Sequence, residues 1–375
     1  MTESGDGRIL VVNAGSSSLK LRVLGDQDEL AGSADLPALR GAVSVDAATV
    51  SAPLAEFGPV DAVGHRIVHG GTEYWGPTVI TPEVRRRLGA LTDLAPLHQP
   101  KSLAALDAVS AVLPSAPAVA CFDTAFHATI PDAAATFALP LEWRERWNLR
   151  RYGFHGLSHS YVSRRAASLL GLESSRIVTC HLGAGASLAA VRDGRSVDTT
   201  MGFTPLDGLV MATRSGAVDP GLVLWLEEHE GMPPAEVART LESRSGLLGL
   251  SGTSDMREVL SRAVAGDDRA TLARDTYLHR LRGAIAAMAA AMDGLDALVF
   301  TGGVGEHSAE VRSRAAGRLG FLGVHLDEAR NAEHSDAEDY EIGAAGAPVR
   351  TFVIAAREDK QIAGEVRSVL VPLQP

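Results

Sequence analysis

Three turns rich in glycine and serine each follow a short apolar segment. They occupy residues 13–18, 181–186 and 301–308. Phosphate oxygens need several N–H donors at close range; glycine lets the backbone approach an anion, and serine adds hydroxyl donors. None of the three turns has the GxxxxGK[ST] pattern of a P-loop. One such turn is usually a simple hairpin, but three in one chain predict a site for a phosphate chain.

Two arginines lie in apolar surroundings. Arg66 falls within AVGHRIVHGG and Arg214 within MATRSG. A buried guanidinium must find an anion, because an unpaired buried charge is very costly. Each arginine has two interpretations, a structural ion pair or a fork that grips a carboxylate or a transferring phosphoryl group. The residues alone leave both open.

Two acids and a histidine complete the candidate chemistry. Asp123 and Glu358 follow predicted strands, and ligand sites tend to form at strand ends in α/β sheets. Taken singly, each acid is more often a cap or a surface residue. His155 directly precedes a predicted helix and can point into a cleft. His159 follows at i+4, but HGLSH lacks the glutamate of a zincin motif, so zinc is not expected.

Strands and helices alternate through the second half of the chain, which predicts α/β layers. A strand–turn–strand unit at residues 9–24 returns at residues 177–191, with Asn13 over His181 and Gly15 over Gly183. This weak repeat predicts two related halves, each presenting a glycine turn. The third turn leads into a predicted helix. The predicted helices include residues 81–91, 156–170, 267–292 and 309–319.

Composition narrows the function classes. The 375 residues carry a net charge of −11, so neither nucleic acid nor an anionic membrane is an expected partner. Cys121 and Cys180 lie in apolar stretches, so we expect buried thiols and no disulfide framework. The N-terminus does not resemble a signal peptide, and the most apolar helical run, residues 284–292, is about half as long as a membrane span. We therefore expect a cytoplasmic protein.

Ten segments, read together, resemble the acetate kinase family. They run in the family's order from about Arg8 to about Val366: VVNAGSSSLK, GHRIVHGG, FDTAFH, RYGFHGLSH, HLGAGAS, MGFTPLDGL, ATRSGAVDPG, TSDMR, FTGGVGE and RED. Each motif is modest, but the ordered set is highly specific. The resemblance implies transfer of the ATP γ-phosphoryl group to acetate, giving acetyl phosphate and ADP, reversibly and with Mg²⁺ (Mn²⁺ is an alternative).

The resemblance also implies an architecture. We expect two duplicated actin-like, ribonuclease-H-like ATPase domains of the α/β class with a cleft between them. The first would comprise residues 1–150 and a returning helix at 360–375, and the second, which binds ATP, residues 151–359. A homodimer is expected on the same basis.

Residue roles follow from the resemblance position by position. Asn13 and Glu358 match the residues that hold Mg²⁺, and Lys20 matches a lysine near the ATP phosphates. Arg66 matches the arginine that binds the acetate carboxylate. The matches to catalytic residues are Asp123, which positions the accepting site, and His155 and Arg214, which stabilise charge on the transferring phosphoryl group.

Two further groups are implied. The matches to the pocket around the acetate methyl group are Val68, Leu97, Phe154 and Pro205. The matches to the ATP-binding loops are His181, Leu182, Gly183, Ala184 and Gly185, then Asp255, Met256 and Arg257, then Gly303, Val304, Gly305, Glu306 and His307.

The chain departs from the family pattern at several positions. Ala184 and His307 each stand where the ATP loops usually carry asparagine, Gln99 stands in the loop that usually reads HNP, and Asp359 replaces a glutamate. Ala184 and His307 motivate the hypothesis of an unusual phosphoryl donor. Two alternatives stay open, a propionate or butyrate kinase and a non-catalytic nucleotide-binding protein of the same fold. Val68 and Phe154 indicate a tight pocket, which favours acetate.

Overall fold

The computed structural model describes residues 7–15, 18–37, 45–96, 98–333 and 339–370. They fall into two units. The first draws on Met1–Ala128, Phe154–Tyr161 and Arg357–Pro375, and the second on Thr129–Gly153 and Val162–Ala356.

The elements up to Phe122 are β1 (Ile9–Ala14), β2 (Ser18–Leu24), β3 (Leu30–Pro37), α1 (Ala47–Phe57), β4 (Ala62–Ile67), β5 (Thr78–Val79), α2 (Pro82–Ala90), α3 (Gln99–Val112) and β6 (Ala118–Phe122). Those up to Thr199 are α4 (Asp132–Ala135), α5 (Leu141–Trp147), α6 (Gly156–Leu170), β7 (Arg176–Leu182), β8 (Ala186–Arg192) and β9 (Arg195–Thr199).

The following elements are α7 (Pro220–Glu228), α8 (Pro234–Ser243), α9 (Gly246–Ser251), α10 (Met256–Val264), α11 (Asp268–Ala291), β10 (Ala297–Thr301), α12 (Gly302–His307), α13 (Ala309–Ala316), α14 (Glu328–Ala332), β11 (Asp339–Glu341), β12 (Arg350–Ile354) and α15 (Glu358–Leu370). Short 3₁₀ helices occupy Thr92–Leu94, Ala125–Thr129 and Gly320–Leu322. Within the described ranges, none of the helices combines the length and apolarity that crossing a bilayer requires.

The two units contain sheets of the same topology. In the first, the strand order is β3-β2-β1-β4-β6-β5, and in the second β9-β8-β7-β10-β12-β11. In each sheet the first three strands form an antiparallel meander, the next two run parallel to its inner strand, and the edge strand is antiparallel. The duplication that the weak repeat predicts is therefore confirmed.

The apolar run of β1 explains how the first sheet is buried on both faces. Successive side chains of a strand point to opposite faces. Leu10 and Val12 pack with helices α1 and α3, whereas Ile9 and Val11 pack with α15. Helix α15 lies close on β4 because Gly64 has no side chain; a Cβ there would lie 2.4 Å from Ile362 Cγ2.

Several predicted helices form where their capping residues indicate. Helix α2 begins after Thr81, whose hydroxyl accepts a hydrogen bond from Val84 N, with Pro82 in the first turn. Helix α11 begins after Asp267, which accepts from the N–H groups of Arg269 and Ala270. The prediction of a glycine turn at residues 301–308 is wrong for most of its length, because residues 302–307 form the short helix α12.

Candidate active site

Three residues lie side by side at the carboxyl ends of parallel strands. Strands β1, β4 and β6 are neighbours and run parallel, and Asn13, Arg66 and Asp123 lie at or just beyond their ends. Parallel strands expose their carboxyl ends at one edge of the sheet, which is where ligands bind in α/β proteins. The structure thus brings together three residues separated by more than fifty positions in sequence.

Arg66 is the centre of this cluster. Its Nε and Nη2 donate to the Asp123 carboxylate at 3.1 and 2.7 Å, and its Nη1 donates to Asn13 Oδ1 at 3.0 Å. Asn13 Nδ2 in turn donates to Glu358 Oε2 at 2.7 Å, and that oxygen lies 3.8 Å from Arg66 Nη1. Glu358 is the first residue of α15, so the packing of that helix on the sheet delivers the fourth group.

Burial and neighbouring charges together shift the pKa values of Arg66 and Asp123. Burial alone would lower the pKa of Arg66, but the charges of Asp123 and Glu358 outweigh it, so its pKa is raised and it stays protonated. Burial raises the pKa of Asp123, and Arg66 opposes that rise only in part. Two carboxyl groups, those of Asp123 and Glu358, therefore face one guanidinium.

The oxygen groups of this cluster suit a divalent cation. Mg²⁺ prefers oxygen ligands and binds through one or two carboxylates together with substrate phosphates. Asn13 Oδ1 and the Glu358 carboxyl group provide oxygens next to the Asp123 carboxyl group. No group of three or more histidine, cysteine or acidic side chains arranged to hold a metal occurs among the described residues. The donor set therefore fits a cation shared with a phosphate ligand better than an all-protein metal cage.

His155 is held beside Asp123 by an unusual backbone. It adopts a left-handed conformation with φ of 56°, which is uncommon for a residue with a side chain. The next residue, Gly156, donates its N–H to Asp123 O at 2.9 Å, and a Cβ on Gly156 would lie 2.2 Å from that oxygen. The start of α6 is thus fixed against the end of β6.

The first unit also contains two apolar residues predicted for the acetate pocket, Val68 two residues after Arg66 and Phe154 directly before His155, here called the apolar wall. Val68 and Phe154 are buried, and the Phe154 ring meets the His69 ring edge to face at 5.6 Å between centroids. Lys20 pairs with Asn13 across the β1–β2 ladder, so the two residues share one face of the sheet. Leu97, also predicted for the pocket, lies outside the described residues.

The second unit contains a cavity of about 860 Å³ lined by many of the predicted ATP-binding residues. The predicted residues along it are Gly183, Ala184, Asp255, Met256, Arg257, Gly303, Val304 and His307. The turn at Gly183 is closed by its N–H, which donates to Gly185 O at 3.0 Å. His181 and Leu182 end strand β7, directly before this turn.

Glu306 holds the backbone around the third turn. Its Oε1 accepts hydrogen bonds from Gly302 N at 2.8 Å and from Ala356 N at 3.0 Å. Gly302 has a φ of 77°, and a Cβ added to it would lie 2.9 Å from Leu182 O. Only glycine therefore suits this position. Glu306 therefore joins the start of α12 to the segment after β12.

Arg214 and Pro205, two further predicted residues of the second unit, are in contact. Arg214 Nη1 donates to Pro205 O at 3.1 Å. Burial lowers the pKa of Arg214, and the charge of Glu242 opposes this effect. A guanidinium that is largely desolvated is suited to binding an anion.

Sequence reasoning missed three buried polar residues near these groups. Gln99 and Thr124 bond the backbone of the segment after β4, and Tyr277 lines the cavity of the second unit. Gln99 had a signal, because it is one of the departures from the family pattern. Thr124 had a weaker signal, its place in the FDTAFH segment, whereas Tyr277 lies inside a predicted helix, residues 267–292, and had none.

The chain is similar in sequence and in structure to known proteins of one family. The model of the acetokinase family matches residues 42–364. The acetate kinase of Nostoc punctiforme is 50% identical over 314 residues, which is 83% of this chain and 77% of the relative. That of Shouchella clausii is 42% identical over 390 residues, covering 95% of this chain and 98% of the relative.

Two solved structures superpose over nearly the whole chain. The Porphyromonas gingivalis acetate kinase has a TM-score of 0.86 and 36% identity, covering 97% of this chain and 99% of its own. A propionate kinase from Francisella tularensis has a TM-score of 0.87 and 35% identity, covering 96% and 98%. The likeness therefore extends through both units.

Proposed function

The chain belongs to the acetokinase family, and we propose that it transfers the ATP γ-phosphoryl group reversibly to acetate, giving acetyl phosphate and ADP. The observation that carries the proposal is the cluster of Arg66, Asp123, Asn13 and Glu358 at the strand ends. A guanidinium next to an acidic, cation-suited group provides what a carboxylate acceptor and a phosphate donor need.

The proposed step forms one bond and breaks one. An acetate oxygen attacks the γ-phosphorus, and the bond from that phosphorus to the β–γ bridging oxygen breaks, so that ADP leaves. A carboxylate is already ionised at neutral pH, so no strong general base is required. The transition state spreads negative charge over the phosphoryl oxygens.

We assign the residues as follows. Arg66 binds and orients the acetate carboxylate, and Val68 and Phe154 exclude water around the acetate methyl group. His155 and Arg214 donate hydrogen bonds to the phosphoryl oxygens. Asp123 holds Arg66 in place through its two carboxylate oxygens.

Asn13 and Glu358 would hold Mg²⁺ or Mn²⁺, which neutralises phosphate charge when bound. Lys20 lies on the same face as Asn13 and would bind phosphate.

The test is acyl phosphate formation from ATP and Mg²⁺, trapped with hydroxylamine, with acetate, propionate and butyrate compared. We expect the highest kcat/KM with acetate. One methylene changes selectivity by roughly 10–200-fold, so propionate is expected as a secondary substrate. A maximum with a longer acid would keep the mechanism and change the substrate. Failure of folded protein to phosphorylate any acid would refute the proposal.

The cavity of the second unit is the proposed nucleotide site. It is lined by Ala184 and His307, the two positions where asparagine is usual. Their side chains alter the hydrogen bonds offered to the nucleotide, which supports the hypothesis of an altered donor preference. Comparison of ATP, GTP, ITP and pyrophosphate tests it, and a strict preference for ATP would count against it.

We also propose a cytoplasmic homodimer. Helix α7 exposes Leu222, Leu224 and Trp225, each between 46% and 54% accessible, and such apolar groups mark a surface for association. Cys121 and Cys180 are free and buried, which suits a reducing compartment. Sedimentation velocity of Leu222→Glu tests the dimer, since a charge on this face should shift the protein to monomer.

A further inference from the structure

Gln99 is a fully buried amide at the first position of α3. Its Oε1 accepts from His69 N at 3.3 Å, and its Nε2 donates to His69 O at 3.3 Å and to Leu88 O at 3.2 Å. A glutamine amide has two N–H donors, so both are used. Gln99 thus bonds the N–H and the C=O of one residue, as a neighbouring strand would.

The segment that Gln99 holds lies just beyond the end of β4. Residues 123 and 124, directly after β6, also bind this part of the chain: Asp123 N donates to Ile67 O at 3.0 Å and Gly70 N donates to Thr124 Oγ1 at 3.1 Å. The ladder between β4 and β6 ends at Ile67. Gln99 therefore supplies side-chain hydrogen bonds to His69, two residues beyond the last ladder pair of β4.

This segment contributes Val68 to the apolar wall of the candidate site. Val68 precedes His69 directly, and the His69 ring packs edge to face against Phe154. A shift of the His69 backbone therefore moves Val68 and loosens the contact with Phe154. Close-packed interiors transmit such shifts because they contain few voids.

We propose that Gln99 is a positioning residue that fixes the depth of the acyl pocket and so favours the shortest acid. The inference rests on the proposed function, because Val68 and Phe154 are assigned to the acyl group there. Gln99 acts only through the His69 backbone and is not assigned any contact with the substrate.

Two variants of the full-length protein test the inference. Gln99→Met keeps the length and removes all three hydrogen bonds. Gln99→Glu keeps the length, and its protonated form retains one acceptor and one donor, so it should fold where methionine fails. We expect the ratio of kcat/KM for propionate to that for acetate to rise about tenfold in Gln99→Met and by less in Gln99→Glu. The KM for ATP should stay within about twofold in both.

Leu106→Val is the matched control for lost stability. Leu106 lies on the same face of α3 and packs in the core with Ile67 and Phe122. It should lower Tm without changing the ratio. An unchanged ratio in both Gln99 variants, with Tm lowered as in the control, would overturn the inference and leave Gln99 a purely structural residue. Absence of acyl phosphate with the wild-type protein would instead refute the proposed function and this inference with it.

Discussion

Arg66 is the residue on which the candidate site depends, because its guanidinium donates hydrogen bonds to both Asp123 and Asn13. We predict that Arg66→Ala lowers kcat/KM by about 10²–10³, the usual loss for one electrostatic contact in a transition state. The hydroxylamine assay measures this loss. Arg85→Ala is the control, since Arg85 forms an ion pair with Asp107 at the surface of the same unit. Near-normal turnover of Arg66→Ala would remove Arg66 from the site.

Gly156 is the residue that sets the position of His155. An added Cβ would lie 2.2 Å from Asp123 O, so the start of α6 would have to move. We predict that Gly156→Ala destabilises the protein by about 1–3 kcal/mol and lowers kcat at least about tenfold by displacing His155. Gly364→Ala is the matched control, because nothing lies within 4 Å of its Cβ position. Equal stability and activity in the two variants would contradict this account.

The sequence identifies the candidate catalytic and binding residues better than the residues that hold the surrounding backbone in place. Arg66 and Asp123 are predictable because a charge next to an apolar strand needs a partner and strand ends attract ligands. Gln99 and Glu306 are harder to interpret, since both act on backbone groups far away in sequence. A motif shows which side chain is present but not which peptide N–H it meets.

At the scale of elements, α12 shows the limit of turn prediction. The glycines of residues 301–308 predict a loop, but six of these residues form a helix directly after β10. Gly302 allows this because its positive φ turns the chain within one residue. The Glu306 carboxylate then fixes the first N–H of the helix. The same oxygen also accepts from Ala356 N in the segment after β12, and no local pattern reveals this second, long-range bond.

The position of α12 is testable through Glu306. We predict that Glu306→Ala raises the KM for ATP about tenfold or more, the cost of losing hydrogen bonds to a charged group. Glu306→Gln should stay within about threefold, because its Oε1 can still accept from Gly302 N and Ala356 N. Steady-state kinetics over a range of ATP concentrations measures both. A glutamine variant as impaired as the alanine variant would indicate a role for the charge itself.

At the scale of the whole molecule, the faint repeat proves more informative than any single motif. Asn13 and His181 occupy corresponding ends of β1 and β7 in two sheets of the same strand order. The ordered motifs predict the family and the α/β fold, and both are confirmed. The domain boundaries and the site roles stay predictions, because sequence patterns do not show where packing between elements begins and ends.

Three buried histidines make the first unit sensitive to acid. Burial lowers the pKa of His65, His69 and His127 to about 4, whereas imidazole in an unfolded chain ionises near about 6.5. Between these values the unfolded chain binds protons that the folded protein does not. Stability is therefore lost as the pH falls from about 6.5 towards 4, by up to about 1.4 kcal/mol per pH unit for each histidine.

A substitution at His65 allows the contribution of one histidine to the pH dependence of stability to be measured. Neither of its ring nitrogens has a hydrogen-bond partner among the described residues. Burial lowers its pKa, and the charge of Asp107 opposes this effect only in part. We predict that His65→Leu reduces the slope of unfolding free energy against pH by about 1 kcal/mol per unit between about pH 6 and 4.5. Urea unfolding at several pH values measures the slope, and the difference from wild type should be constant above about pH 7. An unchanged slope below pH 6 would mean that His65 is protonated in the folded protein, because only then does unfolding at that position bind no additional proton.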